Sequence, residues 1–501
     1  MNLVMLLEMV VDAFPDRVAV KSDNTSLTYA ELQRAAWAAA VMIRDSNCGC
    51  VGMLDTSTIG VPIAIFGAAY AGVPYVPMNY RLTTPELNEL LTRIVPALLV
   101  VGEQYESTLT IPAGVQPLQT AAFIAACRNG KAEAAIASGE PTDVAIQIFT
   151  SGTTGKPKAA LLRHENLMSY ILGTVEFGSA AEEDAVLVTV PPYHVAGIST
   201  VLSSTYACRR MVYMPNFEAR EWLRLCREEH VSNAFLVPTM LARVVEAVEN
   251  GAPAELPGLR AIAYGAGKMP LQVIEKALRL WPQVDFINAY GLTETSSTIA
   301  LLGPDDHRTA VASSDPAVRR RLTSVGRPLP TVEMEIRDED GKPLAANQSG
   351  LIFVRGGQVA GEYQGMGSQL DADGWFSTKD RGSLDEEGFL FLEGRDDDVI
   401  VRGGENISPG EIEDVLLSHP AVADVAVVAV ADPQWGEAVA AAVVLKEGVA
   451  AVPVAELQDW VKARLRSSRV PVTIRFQKEL PYNEIGKLLR RVVRQELNAG
   501  S

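Results

Sequence analysis

Apolar residues recur along this chain in two patterns. One is a short β-branched run bounded by turn residues, as in Val144-Ala145-Ile146-Gln147-Ile148-Phe149 after Pro141-Thr142-Asp143. Such a run reads as a buried strand. The other is helical: residues 28–44 open with Thr28 and Glu31 at capping-box spacing and continue rich in alanine. Strand-like 98–102 precedes helix-like 118–127. Helical 165–177, extended 184–190 and helical 220–230 follow, then short strands at 233–237, 261–264 and 285–289. This βαβα order predicts parallel sheets covered by helices, and more than one of them.

The pattern changes near residue 324. Residues 332–337 alternate strictly, 338–342 form a turn and 350–355 are extended again, which is material for an antiparallel meander or small barrel. Gly394-Arg395-Asp396-Asp397-Asp398 marks a second change, because three adjacent carboxylates repel one another and resist burial. An α+β tail follows: a helix over 409–418 with Pro409 in its first turn, strands at 422–430 and 438–445, a helix over 454–467, and a loop ending at Lys487. The expected fold is a multidomain α/β chain. Residues 1–395 hold two helix-covered sheets, with a β-barrel-like part at about 324–394, and 396–501 form a small α+β domain.

Composition narrows the picture. A chain of 501 residues with 48% hydrophobic and 21% charged residues is globular and too long for one core. Its 44 basic and 61 acidic residues leave a net charge of −17, which argues against a nucleic-acid surface. The exception is Lys462 to Arg494, with ten basic and two acidic residues, read either as a polyanion site or as a solvated helix face. The five cysteines are scattered and complete no zinc pattern, which points to free thiols in a reducing cytosol. The apolar start lacks a basic n-region and meets Glu8 and Asp12 early, so it reads as an amphipathic helix rather than a signal peptide. The most hydrophobic window, 61–78, is interrupted by Pro62, Gly67, Gly72, Pro74 and Pro77, and a membrane span is not expected.

The densest chemistry follows the 144–149 strand. Thr150, Ser151, Gly152, Thr153, Thr154, Gly155, Lys156, Pro157 and Lys158 crowd hydroxyls, glycines and lysines together. Glycine lets backbone N–H groups turn toward an anion, and hydroxyls and lysine add donors and charge, so the stretch reads as a phosphate cradle. It is not a Walker A loop: Gly152 and Gly155 are too close, and Pro157 stands where that motif needs Ser or Thr.

Further islands identify the family. They are Pro192-Tyr193-His194-Val195-Ala196-Gly197, Asn288-Ala289-Tyr290-Gly291-Leu292-Thr293-Glu294, and Asp380 after Trp375-Phe376-Ser377-Thr378. Then come Gly394 to Asp398, the segment from Gly403-Gly404-Glu405-Asn406-Ile407 to Glu413, and Gly486-Lys487. In order and spacing these closely resemble the adenylate-forming superfamily of acyl-CoA synthetases, carrier-protein adenylation domains and beetle luciferases. Over essentially the whole chain the likeness is greatest to the acyl- and aryl-CoA ligases, including chlorobenzoate–CoA ligases.

The resemblance implies a two-step reaction. A carboxylate attacks the α-phosphate of ATP, releasing pyrophosphate, and a thiol then displaces AMP from the acyl-adenylate. The first step joins two anions, so catalysis is mostly charge neutralisation and positioning. By the same resemblance the cradle, Thr150 to Lys156 with Lys158, holds the β- and γ-phosphates. Thr293 serves the α-phosphate, Glu294 magnesium, Asn288, Ala289, Tyr290 and Gly291 the adenine region, and Gly265 and Ala266 pass backbone near base and acyl group. Asp380 and Arg395 hold the ribose. Lys379 departs from the family's usual glycine there and puts the local geometry in question.

Lys487 is the implied adenylation lysine, and Asp397 the hinge of a mobile C-terminal domain. Gly403 and Gly404 are the turn that approaches a pantetheine arm. Tyr193, His194, Val195, Val237, Tyr264 and Gly265 line an acyl pocket with no Asp or Lys, so a hydrophobic acid is expected: fatty, aromatic or cyclic terpenoid. The implied enzyme is an ATP-dependent carboxylic acid–CoA ligase using ATP, Mg2+ and coenzyme A. Its partners are a small-molecule acid and CoA, with no nucleic acid or membrane, and the oligomeric state, a homodimer included, stays open. The alternative is an adenylation enzyme that passes acyl-AMP to a separate carrier protein or partner ligase.

Overall fold

The computed structural model describes residues 1–22, 25–130, 139–150, 157–449, 452–482 and 488–498. The chain forms two compact units. The first comprises Met1–Glu333 with Val354–Phe376, the second Met334–Phe353 with Ser377–Ser501. This division differs from a boundary at 395/396, because the strands over 377–395 group with the C-terminal residues.

The first unit contains a nine-stranded and an eight-stranded sheet. In the nine-stranded sheet, Asp285–Leu292, Ala261–Gly265, Asn233–Leu236, Ala185–Val188, Arg210–Tyr213 and Val18–Ser22 run parallel in that spatial order. In the eight-stranded sheet the parallel run is Val144–Thr150, Tyr75–Pro77, Cys50–Leu54, Ala97–Val101 and Val115–Gln119. Each parallel run ends in an antiparallel hairpin. Asp285–Leu292 turns back as Ser297–Leu302, and Val144–Thr150 returns as Lys158–Arg163. Both turns carry the residues singled out for chemistry, so polar motifs sit where a buried strand emerges.

Local sequence explains much of this. Thr28 caps the helix Tyr29–Asp45, accepting from the Glu31 N–H at 3.2 Å, while the Glu31 carboxylate accepts from Thr28 N–H at 2.8 Å. The window over 61–78 is a helix, Gly60–Ala71, buried nearly all round, and the strand Tyr75–Pro77. Among the described residues no helix is long and apolar enough to cross a membrane. Several expected boundaries move: 118–119 end the strand Val115–Gln119 before the helix Thr120–Asn129, the 285–289 strand runs on to Leu292, and the helix expected over 454–467 ends at Lys462. All five cysteines are free and buried.

In the second unit, a four-stranded sheet formed mostly by its residues (Glu333–Arg337, Gly350–Arg355, Phe376–Leu384, Leu390–Arg395) stands where barrel-like strands were expected. A five-stranded sheet centres on the hairpin Val422–Asp432 with Gly436–Leu445 and packs the helices Pro409–Leu417 and Val454–Lys462 around Ile412, Leu416, Val427, Val443, Leu457 and Val461.

Candidate active site

In the first unit the site is built on the two hairpin turns. Ser151, Gly152, Thr153, Thr154, Gly155 and Lys156 lie outside the described residues, but the base of the cradle is fixed. Thr150 and Lys158 are register partners, with Thr150 Oγ1 3.4 Å from the Lys158 carbonyl. Arg93 grips both arms: its Nη1 donates to the Pro157 carbonyl at 2.7 Å, and its guanidinium lies 4.8 Å from the Phe149 ring centroid. Nothing in the sequence near Arg93 announces this role.

The second turn, Thr293–Thr295, is a 3₁₀ turn after Leu292. Thr295 is buried and closes it, accepting from Leu292 N–H at 3.0 Å and donating to the Ser297 carbonyl at 2.9 Å. The chain then leaves through left-handed backbone at Ser296 (φ 56) and Ser297 (φ 118), conformations that cost non-glycine residues about 1–3 kcal/mol each. The fully buried Gln358 compensates by donating to the Thr295 and Thr298 carbonyls at 3.1 and 2.7 Å. Ala360 and Gly361 N–H groups hold the Glu294 carbonyl at 2.9 and 3.0 Å.

Residues from the two hairpins meet at Tyr363. Its hydroxyl donates to Glu294 Oε1 at 2.5 Å, and Lys158 Nζ stands 5.5 Å from its ring centroid. Glu294 Oε2 and the Thr293 hydroxyl have no hydrogen bond among the described residues. Lys158 and Glu294, both half-buried, thus meet the same ring, and half-buried Thr293 precedes Glu294 in the turn. No three His, Cys, Asp or Glu side chains converge to hold a metal by themselves among the described residues. A single carboxylate suits magnesium, which keeps waters and substrate phosphates and takes one or two protein carboxylates.

The neighbouring strand end is shaped by close backbone approach. A Cβ at Gly265 would fall 2.2 Å from the Ala289 carbonyl, its register partner, and Ala266 is left-handed at φ 64. Tyr264 and Asn288 are also register partners and share the opposite face. Tyr264 is fully buried, its hydroxyl 2.8 Å from His307 Nε2, while His307 Nδ1 donates to the Gly303 carbonyl at 2.7 Å. Asn288 Nδ2 donates to the Ser324 carbonyl at 3.0 Å. Both side chains thus tie neighbouring segments to this strand end. Tyr290 and Val237 are buried, Val237 capping the helix Pro238–Glu249.

His194 caps the helix that begins at Val195, and its ring lies 4.5 Å from that of Tyr193, which Tyr80 meets edge-on at 5.2 Å. Its Nε2 is buried with no partner among the described residues. Burial, reinforced by Arg81, pushes the imidazole down to about 4, so it is neutral at physiological pH.

In the second unit Asp380 and Arg395 face each other across adjacent strands, Arg395 Nε 2.9 Å from Asp380 Oδ1. Arg395 Nη1 also donates to the Thr378 carbonyl at 2.9 Å, and Asp380 N–H to Thr378 Oγ1 at 3.1 Å. Lys379 adopts φ 61, the left-handed conformation that glycine takes without strain. The geometry is kept and the lysine carries the strain. Lys379→Gly should therefore leave stability equal to or up to about 1 kcal/mol above the parent in urea titrations, since relief of strain offsets glycine's extra unfolded-state entropy. A loss above about 1 kcal/mol would mean the lysine side chain itself stabilises the strand.

Gly403 and Gly404 form a two-residue turn with φ 57 and 84, between register partners Arg402 and Glu405. A Cβ at Gly403 would meet the Trp435 ring at 2.7 Å. In the acidic connector Asp396 pairs with Arg381 at 3.2 Å and Asp398 with Arg490 at 3.6 Å, while Asp397 makes no ion pair among the described residues. Much of the basic stretch is neutralised internally: Arg469 pairs with Glu405 and Glu411, Arg490 with Glu413, and Arg494 with Glu437. Lys462, Arg466, Lys478 and Arg491 make no ion pair among the described residues. Lys487 lies outside the described residues. The residues flanking its segment, Tyr482 and Leu488, form a bridge, and Tyr482 donates to the Asp424 carboxylate at 2.9–3.0 Å.

Comparison with known proteins gives a consistent result. Residues 7–364 match the family described as AMP-binding enzyme, and 411–487 its C-terminal domain. The chain is 30% identical to an indoleacetate–CoA ligase of Aromatoleum aromaticum, covering 96% of this chain and 95% of that one. It is 32% identical to a 2-succinylbenzoate–CoA ligase of Bacillus licheniformis, with 95% and 96% covered. Identity to the fatty acid–acyl-carrier-protein ligase ScoC of Streptomyces coeruleorubidus is 30%, over 96% and 93%. The solved o-succinylbenzoate CoA synthetase of Bacillus subtilis in complex with ATP and magnesium superposes with a TM-score of 0.81 at 29% identity, covering 97% of this chain and 98% of that one. With its fold, its paired hairpin turns and this match over most of its length, the chain belongs to the AMP-binding enzyme family.

Proposed function

We propose that this protein is an acid–thiol ligase that activates a hydrophobic carboxylic acid with ATP and transfers the acyl group to coenzyme A. The observation that carries the reading is the meeting of Lys158 and Glu294 at Tyr363. It brings a cation and a carboxylate to one place from distant parts of the sequence, as a polyphosphate with its metal requires. Similarity to the two CoA ligases supports the acceptor.

In this mechanism the segment from Thr150 to Lys158 binds the β- and γ-phosphates and releases them as pyrophosphate. Thr293 donates to the α-phosphate. Glu294 would hold magnesium, which supplies charge neutralisation on the polyphosphate when bound. Asp380 accepts from the ribose hydroxyls, oriented by its pair with Arg395. Lys487 bridges the attacking carboxylate and the α-phosphate. His194 and Tyr193 border the acyl group.

For the second step, rotation about Asp397 exchanges Lys487 for the Gly403–Gly404 turn. Ion pairs on either side, Arg381–Asp396 and Asp398–Arg490, and none at Asp397 among the described residues, support a hinge there. Similarity to ScoC favours a second reading for the acceptor, a carrier-protein thiol.

The test incubates the protein with ATP, Mg2+ and a panel of fatty, aromatic and terpenoid acids, with either CoA or a phosphopantetheinylated carrier protein, and detects thioesters by mass spectrometry. Acyl-CoA is expected from one class of hydrophobic acid. Acyl-AMP with no thioester on CoA, but loading of the carrier, would overturn the CoA assignment.

A further inference from the structure

We propose that Tyr363 is a positioning residue that orients Glu294 for the metal–nucleotide complex, an assignment that rests on the ATP-dependent reading above. Tyr363 lies in the two-residue strand Glu362–Tyr363, opposite Ala160, and both of its flanks are tied down. On one side Arg163 makes a bidentate pair with Glu362 at 2.9 Å for each bond. On the other, the N–H groups of Ala360 and Gly361 hold the Glu294 carbonyl, and Gln358 clamps the turn beyond it. The ring thus has little freedom, and its hydroxyl meets Glu294 with both backbones already fixed.

That contact decides the orientation of a side chain that would otherwise sample many rotamers. The hydroxyl engages Oε1, leaving Oε2 without a hydrogen bond among the described residues. The same ring presents its face to Lys158 at the foot of the cradle. One residue therefore orders an anion through its hydroxyl and a cation through its π face, and the two functions separate chemically. Phenylalanine removes the first and keeps the second. Leucine removes both.

The experiment measures ATP binding by isothermal titration calorimetry, with Mg2+ and with EDTA, on the intact protein. For Tyr363→Phe, affinity in Mg2+ is expected to fall about tenfold, the usual size of a lost hydrogen bond to a charged group, while affinity in EDTA stays within about twofold. Tyr363→Leu should weaken binding in both conditions. On a Glu294→Gln background, adding Tyr363→Phe should change nothing further, a readout that stands if the single variant folds poorly. Equal affinity for parent and Tyr363→Phe in Mg2+, or equal losses in Mg2+ and EDTA, overturns the assignment while leaving the proposed function intact. A parent protein that binds no ATP overturns both.

Discussion

Lys487→Ala is expected to lower acid-dependent pyrophosphate exchange by about a hundred- to a thousandfold, the range seen when one donor to a developing charge is removed. Thioester formation from supplied acyl-adenylate should stay within about threefold of the parent, because no pyrophosphate leaves in that step and no carboxylate attacks. The asymmetry follows from the chemistry. A cation between two anions matters most while they are being joined. The residues flanking the Lys487 segment have anchors of their own: Tyr482 and Leu488 pair as a bridge, and Tyr482 donates to Asp424. Both half-reactions falling together, with melting temperature unchanged, would sink the exchange of Lys487 for the Gly403–Gly404 turn and with it the hinge at Asp397.

The elements that sequence foretells best are those whose signal is local. Thr28 and Glu31 specify their own cap, and Pro409 starts its helix as expected, because every partner lies within one turn. The strand Val144–Thr150 is legible for the same reason, because its β-branched run and the turn before it are adjacent residues. What the sequence hid are long-range partners. Tyr363, Gln358 and Arg93 each act on a hairpin far from them along the chain. The partners of Asn288 and Tyr264 are of the same kind: the two share a sheet face and bond to Ser324 and His307, contacts that no local pattern announces. Charge shows the same limit. The basic run from Lys462 reads in sequence as either a polyanion site or a solvated helix face, and the pairing of Arg469, Arg490 and Arg494 with glutamates within the unit is visible only in the fold.

Gly291→Ala is expected to be the most damaging single-methyl change in the motif. Gly291 lies at the bulge in the ladder between Asp285–Leu292 and Ser297–Leu302, where the register shifts after Tyr290. A Cβ there would sit 1.9 Å from the Ser297 carbonyl oxygen and 2.8 Å from Thr298 Cα. These are backbone atoms of the partner strand, so no side-chain rotation relieves the clash and the ladder itself has to open. The strands that separate carry Thr293 and Glu294 between them, and Ser296 and Ser297 already hold left-handed backbone. Loss above about 3 kcal/mol in urea titrations is expected, at the high end for one added methyl because the obstruction is main chain. Pyrophosphate exchange should fall at least about a hundredfold even in protein that remains folded, because Glu294 is carried away from Tyr363 and Lys158. Gly303→Ala is the matched control. A Cβ at Gly303 meets nothing closer than 3.7 Å, and the change should cost less than about 1 kcal/mol. If Gly291→Ala unfolds at the same urea concentration as Gly303→Ala, the ladder is looser than this close approach implies, and Glu294 is not held by it.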